Sequence, residues 1–214
     1  MVESLKERII MHKILIFGDS IATGRGIEKS KTWASKLAQY FDAKDKWNTI
    51  VYNLCVQGES STELLKRFTS GCNSRIQSSA PQDKIVIFIA EGINDSKGLN
   101  YPENYKTSLE TFRKNILKII KSAKQYTETL IFVGLTPIDE EKTSPVGDNY
   151  FLNKSIKKYN NAIKDICKKK KLNFIDVFDN WVNKEFQKFL LEDGIHLNKL
   201  GHQKIFEKIK PFIN

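Results

Sequence analysis

Short unbroken apolar runs alternate along this chain with stretches whose apolar residues recur every three or four positions. Residues 13–17 (KILIF) form an apolar run ending at Gly18, the pattern of a buried strand. Over 32–41, Trp33, Leu37, Ala38 and Phe41 fall at helical spacing. Residues 50–54 read as a second strand and 61–68 as a helix with Ser60 or Ser61 as its N-cap. Residues 84–90 (KIVIFIA) are the clearest strand, apolar as expected where both faces are covered. A long helix pattern from 102 to about 126 carries Leu109, Phe112, Ile116, Ile119 and Ile120, and 130–135 reads as a fourth strand. From 149 to about 169, Ile156, Tyr159, Ile163 and Ile166 share one helical face. Residues 173–177 (NFIDV) predict a fifth, shorter strand, and 199–211 a last helix with Leu200, Ile205, Ile209 and Phe212 as its apolar set. This alternation predicts a mostly parallel sheet with helices on both faces, a three-layer α/β/α domain. In such folds functional groups gather outside the carboxyl ends of the strands.

Composition narrows the class without changing the fold. At 214 residues, 40% hydrophobic and 28% charged, the chain is expected to be globular, with 12–214 as a single domain after an N-terminal extension at 1–11. Residues 1–10 read as a short helical extension or as following an upstream start, with Met11 directly before the first strand. Their sequence, with Glu3 and Glu7, does not resemble a secretory signal. No apolar run approaches the roughly 20 residues of a membrane helix, so no membrane segment is expected. Cys55, Cys72 and Cys167 are odd in number and widely spaced, which argues against a disulfide framework, against a metal site and for a reducing cytoplasm. The formal charge of +10 raises a nucleic-acid or anionic-surface partner, but only five of the 35 basic residues are Arg, and lysines 168–171 fall where a helix ends and complement its dipole. No nucleic-acid partner is expected, and a preference for anionic substrates stays open. Oligomeric state is not legible.

Candidate chemistry sits at strand ends. Gly18-Asp19-Ser20 follows the first strand, where a Ser opening a helical turn has backbone N–H groups nearby to stabilise an oxyanion. Ser20 alone is equally a cap or turn residue, and Ala22 breaks the G-x-S-x-G elbow. Near the other end stand Asp193 and His196. A Ser hydroxyl needs an adjacent base, and an Asp partner fixes the tautomer of a His. The bland alternative is that this segment only caps the last helix through Asn198. His12 and His202 read as structural. Gly58 after the second strand and Asn94 after the third are candidate oxyanion donors, through a backbone N–H and a side-chain amide.

Taken together, four blocks resemble the SGNH/GDSL hydrolase family, named for a Ser, a Gly, an Asn and a His. FGDSIATGRG (17–26) resembles the first block, YNLCVQGES (52–60) the second, EGINDS (91–96) the third and DGIHLNKLGH (193–202) the last. Cys55 and Ile21 depart mildly from the common pattern. The resemblance implies a flavodoxin-like fold with a five-stranded parallel sheet and hydrolysis of esters or thioesters without metal or organic cofactor. It puts the nucleophile on Ser20, the triad partners on Asp193 and His196, and the oxyanion donors on Ser20, Gly58 and Asn94. Asp19 is expected to orient its turn through hydrogen bonds, and Asp95 and Glu91 to support Asn94 from beside it.

The expected function is therefore that of a serine esterase acting on a small carboxylic ester through an acyl-enzyme. Carbohydrate O-acetylesterase, lysophospholipase or thioesterase activity would use the same residues. A non-catalytic basic binding module is the rival from another class, without a recognisable nucleic-acid motif. The polar stretch 137–148 is expected to shape the pocket, or to be a surface loop.

Overall fold

The computed structural model describes residues 10–45, 48–182 and 185–213. Five parallel strands form one sheet: β1 (His12–Gly18), β2 (Thr49–Asn53), β3 (Lys84–Ala90), β4 (Thr129–Val133) and β5 (Asn173–Ile175). Their order is β2-β1-β3-β4-β5, the flavodoxin-like order. β1 lies inside the sheet, pairing with β2 from His12↔Thr49 to Ile16↔Asn53 and with β3 from His12↔Lys84 to Gly18↔Ala90.

The unbroken apolar runs follow from burial on both faces. Side chains alternate along a strand, and each face has its own core. Leu15, Phe17, Ile87, Ile89, Leu130 and Phe132 point to one face. There they meet helices α2 (Ser61–Ile76), α3 (Leu109–Ala123) and α4 (Asn153–Lys170). Ile14, Ile16, Phe88, Ile131 and Val133 point to the other face. That face is covered by α1 (Trp33–Asp45) and α5 (Lys199–Ile209). The three-layer α/β/α class expected from the sequence is the observed one.

Element ends differ from the sequence pattern where a cap or a strand pairing intervenes. The helix expected from 102 begins at Leu109, because Ser108 caps it by accepting from Thr111 N–H at 3.2 Å. The helix expected from 149 begins at Asn153, because Asn149–Tyr150 pairs antiparallel with Gly98–Leu99. α2 runs on to Ile76 through Thr69, Ser70 and Gly71, with Cys72 buried beneath. Leu200, expected on the apolar face of the last helix, is 45% exposed. A short helix at Phe178–Trp181 and a 3-10 turn at Phe186–Phe189, absent from the sequence reading, pack Trp181 against Phe189. The extension expected over 1–10 falls almost wholly outside the described residues. Among the described residues no helix is long and apolar enough to cross a membrane.

Asn198 ties the last helix to the segment before it. Its Oδ1 accepts from the N–H groups of Leu200 and Gly201 at 2.9 and 3.1 Å, and its Nδ2 donates to the carbonyls of Lys188 and Leu190 at 2.8 and 3.0 Å. Asn198→Ala is expected to cost about 1–2 kcal/mol of stability, the usual worth of an N-cap. Urea unfolding checks it, and an unchanged midpoint would remove Asn198 from the account.

Candidate active site

Three strand ends deliver one wall of the site. At the end of β1 a Cβ on Gly18 would lie 2.4 Å from the Ala90 carbonyl, so only glycine lets β1 and β3 approach this closely. Asp19 then caps a single helical turn, Ser20–Thr23, accepting from Ile21 N–H at 2.8 Å. After β2, Gly58 takes φ +75°, a left-handed backbone that a side chain would strain. Nothing lies within 4 Å of where its Cβ would be, so the requirement is conformational and not steric. After β3, a short helix at Ile93–Ser96 carries Asn94 and Asp95.

The opposite wall comes from the segment before α5. Leu191 N–H donates to the His196 carbonyl at 2.7 Å and Gly194 N–H to the Leu191 carbonyl at 3.0 Å, closing a tight loop. Inside it, Asp193 Oδ1 accepts from the N–H groups of Ile195 and His196, both at 2.9 Å. Asp193 Oδ2 lies 2.7 Å from His196 Nδ1, and His196 Nε2 lies 2.9 Å from Ser20 Oγ. The carboxylate assigns the proton to Nδ1, which leaves Nε2 to accept from the Ser20 hydroxyl. The segment thus does both things its sequence allowed: Asn198 caps the helix, and Asp193 and His196 face Ser20.

Burial acts to raise the Asp193 carboxyl, but the two N–H donors and the imidazole outweigh it, so its pKa is lowered. His202 has no part in this arrangement. It is buried, its Nδ1 accepts from Trp33 N–H at 3.2 Å, and burial pushes it down to about 4. His12 opens β1, paired between β2 and β3.

Ser20, Gly58, Asn94, Asp193 and His196 line one cleft of about 290 Å³. Its apolar surface includes Val146, Phe151 and Ile195. Val146 belongs to the 137–148 stretch, which is folded against the site: Asp139 N–H donates to the Gly194 carbonyl at 2.8 Å.

Beneath the cleft lies a cluster of buried acids. Asp19 Oδ2 accepts from Asn94 Nδ2 at 3.3 Å. Burial, opposed by the Ile21 N–H and reinforced by the charges of Asp95 and Glu59, pushes Asp19 up to about 7. Glu91 is pushed well above the usual carboxylate range by burial and by Asp19 and Asp95, while its Oε1 accepts from Gly92 N–H. Asp95 is raised by burial although Ser61 donates to it through N–H at 2.9 Å and Oγ at 2.6 Å. Asn115 in turn donates to Ser61 Oγ at 3.0 Å. A hydroxyl on an imidazole that rests on a carboxylate is the arrangement that gives up its proton as the oxygen attacks a carbonyl.

Residues 16–204 match the model of the GDSL-like Lipase/Acylhydrolase family. The chain belongs to this family. As a member of the GDSL-like lipases and acylhydrolases it is an ester-bond hydrolase. Solved structures share its fold. A lipase/acylhydrolase from Enterococcus faecalis superposes with a TM-score of 0.73 at 23% identity, over 95% of each chain. The psychrotrophic esterase EstA from Pseudoalteromonas sp. gives 0.67 at 17% over 94% of this chain and 96% of that one, and an acetyl xylan esterase from Geobacillus stearothermophilus 0.69 at 16% over 97% of each. No curated protein matches the chain.

Reading the sequence of this GDSL-family chain missed Ser61 and Asn115 beneath Asp95, and Arg25 and Lys97 on the cleft wall. Only the tertiary fold brings the first two to Asp95. Arg25 and Lys97 had a faint signal in their places five residues after Ser20 and three after Asn94.

The buried acids make stability depend on pH. Burial pushes the Asp19 carboxyl from its ordinary 3.8 up to about 7, so between these values the folded state holds a proton that the unfolded chain gives up. Its contribution to stability therefore falls as pH rises from about 4 to 7 and then levels off. Asp19→Asn, which keeps an acceptor for Ile21 N–H, should shrink the loss of stability between pH 5 and 7.5. The difference is of the order of a few kcal/mol, measured by urea unfolding at both pH values. An identical pH dependence in the variant would contradict the assignment.

Proposed function

We propose that this chain is a serine esterase acting on a small carboxylic ester, with Ser20 as nucleophile, His196 as general base and acid, and Asp193 as its orienting partner. The observation that carries the reading is the unbroken chain of hydrogen bonds from Asp193 through His196 to Ser20, opening onto the cleft. In the first half-reaction Ser20 Oγ attacks the ester carbonyl carbon while His196 Nε2 takes its proton. The carbonyl oxygen becomes an oxyanion, held by the backbone N–H groups of Ser20 and Gly58 and by the Asn94 amide. The tetrahedral intermediate collapses, the C–O bond to the alcohol breaks, and His196 returns the proton to the leaving oxygen. Water, activated by His196, then attacks the acyl-enzyme, and the acid leaves as Ser20 regains its proton.

Asn94 is well placed for its part in this proposal. One amide hydrogen is engaged by buried Asp19, which fixes the rotamer and leaves the other free for substrate. The Asp19–Ser20 turn and Asn94 are thereby coupled into one rigid wall. Acetylated sugars, lysophospholipids and thioesters present the same acyl carbonyl, and a substrate panel of short-chain esters, acetylated sugars and acyl-CoA separates them.

With p-nitrophenyl acetate and butyrate, Ser20→Ala and His196→Ala should each abolish nearly all activity in a chain that remains folded by circular dichroism. The double variant should lose hardly more, because triad members act as a unit. Asn94→Ala should lower kcat by roughly 10²–10³. Full activity in Ser20→Ala would overturn the mechanism.

A further inference from the structure

Two cations stand in the cleft wall without a counter-charge. Arg25 is exposed, and its backbone N–H donates to the Ser20 carbonyl at 3.1 Å, which sets it one turn beyond the Ser20 hydroxyl. Lys97, directly after the Asn94 helix, is half-buried, with its ammonium 5.8 Å from the centre of the Phe151 ring. Among the described residues neither has a carboxylate at ion-pair distance.

Other basic side chains nearby are engaged. Lys106 bonds Glu63 and the Gly58 carbonyl, both at 3.2 Å, and Lys199 pairs with Glu28 at 2.8 Å. Lys29 donates to the Thr23 carbonyl at 3.2 Å. Among the described residues Asp193 is the one carboxylate lining the cleft, and it already accepts from two backbone N–H groups and the His196 ring. Two acids of the 137–148 stretch are occupied, and the other two, Glu141 and Asp148, are not among the residues lining the cleft. Asp139 pairs with Lys142 at 3.5 Å, and Glu140 accepts from Asn153 N–H. Burial, with the charge of Lys106, lowers the Lys97 pKa, the sign of an ammonium held without compensation. Partial desolvation of an unpaired ammonium is costly, and an anionic ligand offsets that cost.

On the reading of this cleft as an esterase site, we propose that its substrate carries an anionic group, carboxylate or phosphate, that Arg25 and Lys97 engage while the ester carbonyl meets Ser20. Arg25 supplies a planar fork suited to two anion oxygens, and Lys97 a point charge. Arg25 also lines an adjoining groove of about 850 Å³, so the part of the substrate bearing the anion has room to extend beyond the cleft.

Matched ester pairs test this, each pair differing in one anionic group: 4-acetoxybenzoate against its methyl ester, monoethyl against diethyl adipate, and 4-acetoxyphenyl phosphate against 4-methoxyphenyl acetate. The ratio of kcat/KM, anionic over neutral, is compared between wild type and Arg25→Gln/Lys97→Gln, so that intrinsic reactivity cancels. The ratio should fall at least tenfold in the double variant for one or more pairs, the usual worth of a charge-assisted hydrogen bond. The wild-type preference should weaken as salt is raised. The first two pairs distinguish an anion on the alcohol side from one on the acyl side, and the third distinguishes phosphate from carboxylate. Ratios equal in both proteins for all three pairs would overturn the proposal. Calorimetric binding of 4-acetamidobenzoate and of 4-acetamidobenzamide, which present an amide in place of the ester, separates the two readings. Wild type should bind the anion at least tenfold more tightly than the double variant does. That result without cleavage of any ester would sink the esterase reading and leave the anion site standing, and equal binding by both proteins would count against the anion site itself.

Discussion

The 2.9 Å hydrogen bond between His196 Nε2 and Ser20 Oγ joins residues 176 positions apart, and the rest of the site is arranged around it. Neither partner reaches the other by local structure. Ser20 is fixed because β1 lies inside the sheet and must stop at Gly18, whose backbone touches that of β3. His196 is fixed because α5 packs on α1 across the same sheet face, and Asn198 holds the loop before α5 to the Phe186–Phe189 turn. A loosening at either anchor separates two atoms that must stay within hydrogen-bond reach. The stability of the sheet and the geometry of the site are therefore the same physical fact seen at two scales.

The floor of the cleft shows a second constraint. Asp19, Glu91 and Asp95 lie close together with little solvent, and they cannot all ionise cheaply. Their hydrogen bonds to Ile21, Gly92 and Ser61 fix the turns that bear Ser20 and Asn94. Burial disfavours the charged form of all three, which limits the negative charge beside Ser20 and Asn94. On the wall above stand Arg25 and Lys97, and among the described residues neither has a carboxylate at ion-pair distance.

Much of this was legible in the sequence because burial leaves a pattern. β1, β3 and β4 are covered on both faces, so their apolar runs are unbroken, and the alternation with helices follows. The limits of α3 and α4 were not legible. Thr107 donates its N–H to the distant Asp95 carbonyl just before Ser108 caps α3, and Asn149–Tyr150 enters a two-residue strand with the distant Gly98–Leu99. The buried Phe186 and Phe189 lie in a 3-10 turn too short to show any period. At the site, one or two residues from each of the four blocks, Ser20, Gly58, Asn94, Asp193 and His196, line one cleft. The Ser61–Asn115 support beneath Asp95 was invisible, because those hydrogen bonds span 34 and 54 residues. Arg25 and Lys97 read as two among 35 basic residues until the fold put them on the wall of the cleft.

The most direct test of the central claim is covalent trapping with a p-nitrophenyl alkylphosphonate, whose tetrahedral phosphorus mimics the transition state. Attack by Ser20 Oγ forms the O–P bond and expels p-nitrophenolate. Trapping should release one equivalent of p-nitrophenolate per chain and leave the adduct on the peptide containing Ser20, with no adduct in His196→Ala. An adduct on another residue, or ester hydrolysis by a chain whose Ser20 stays unlabelled, would contradict this claim.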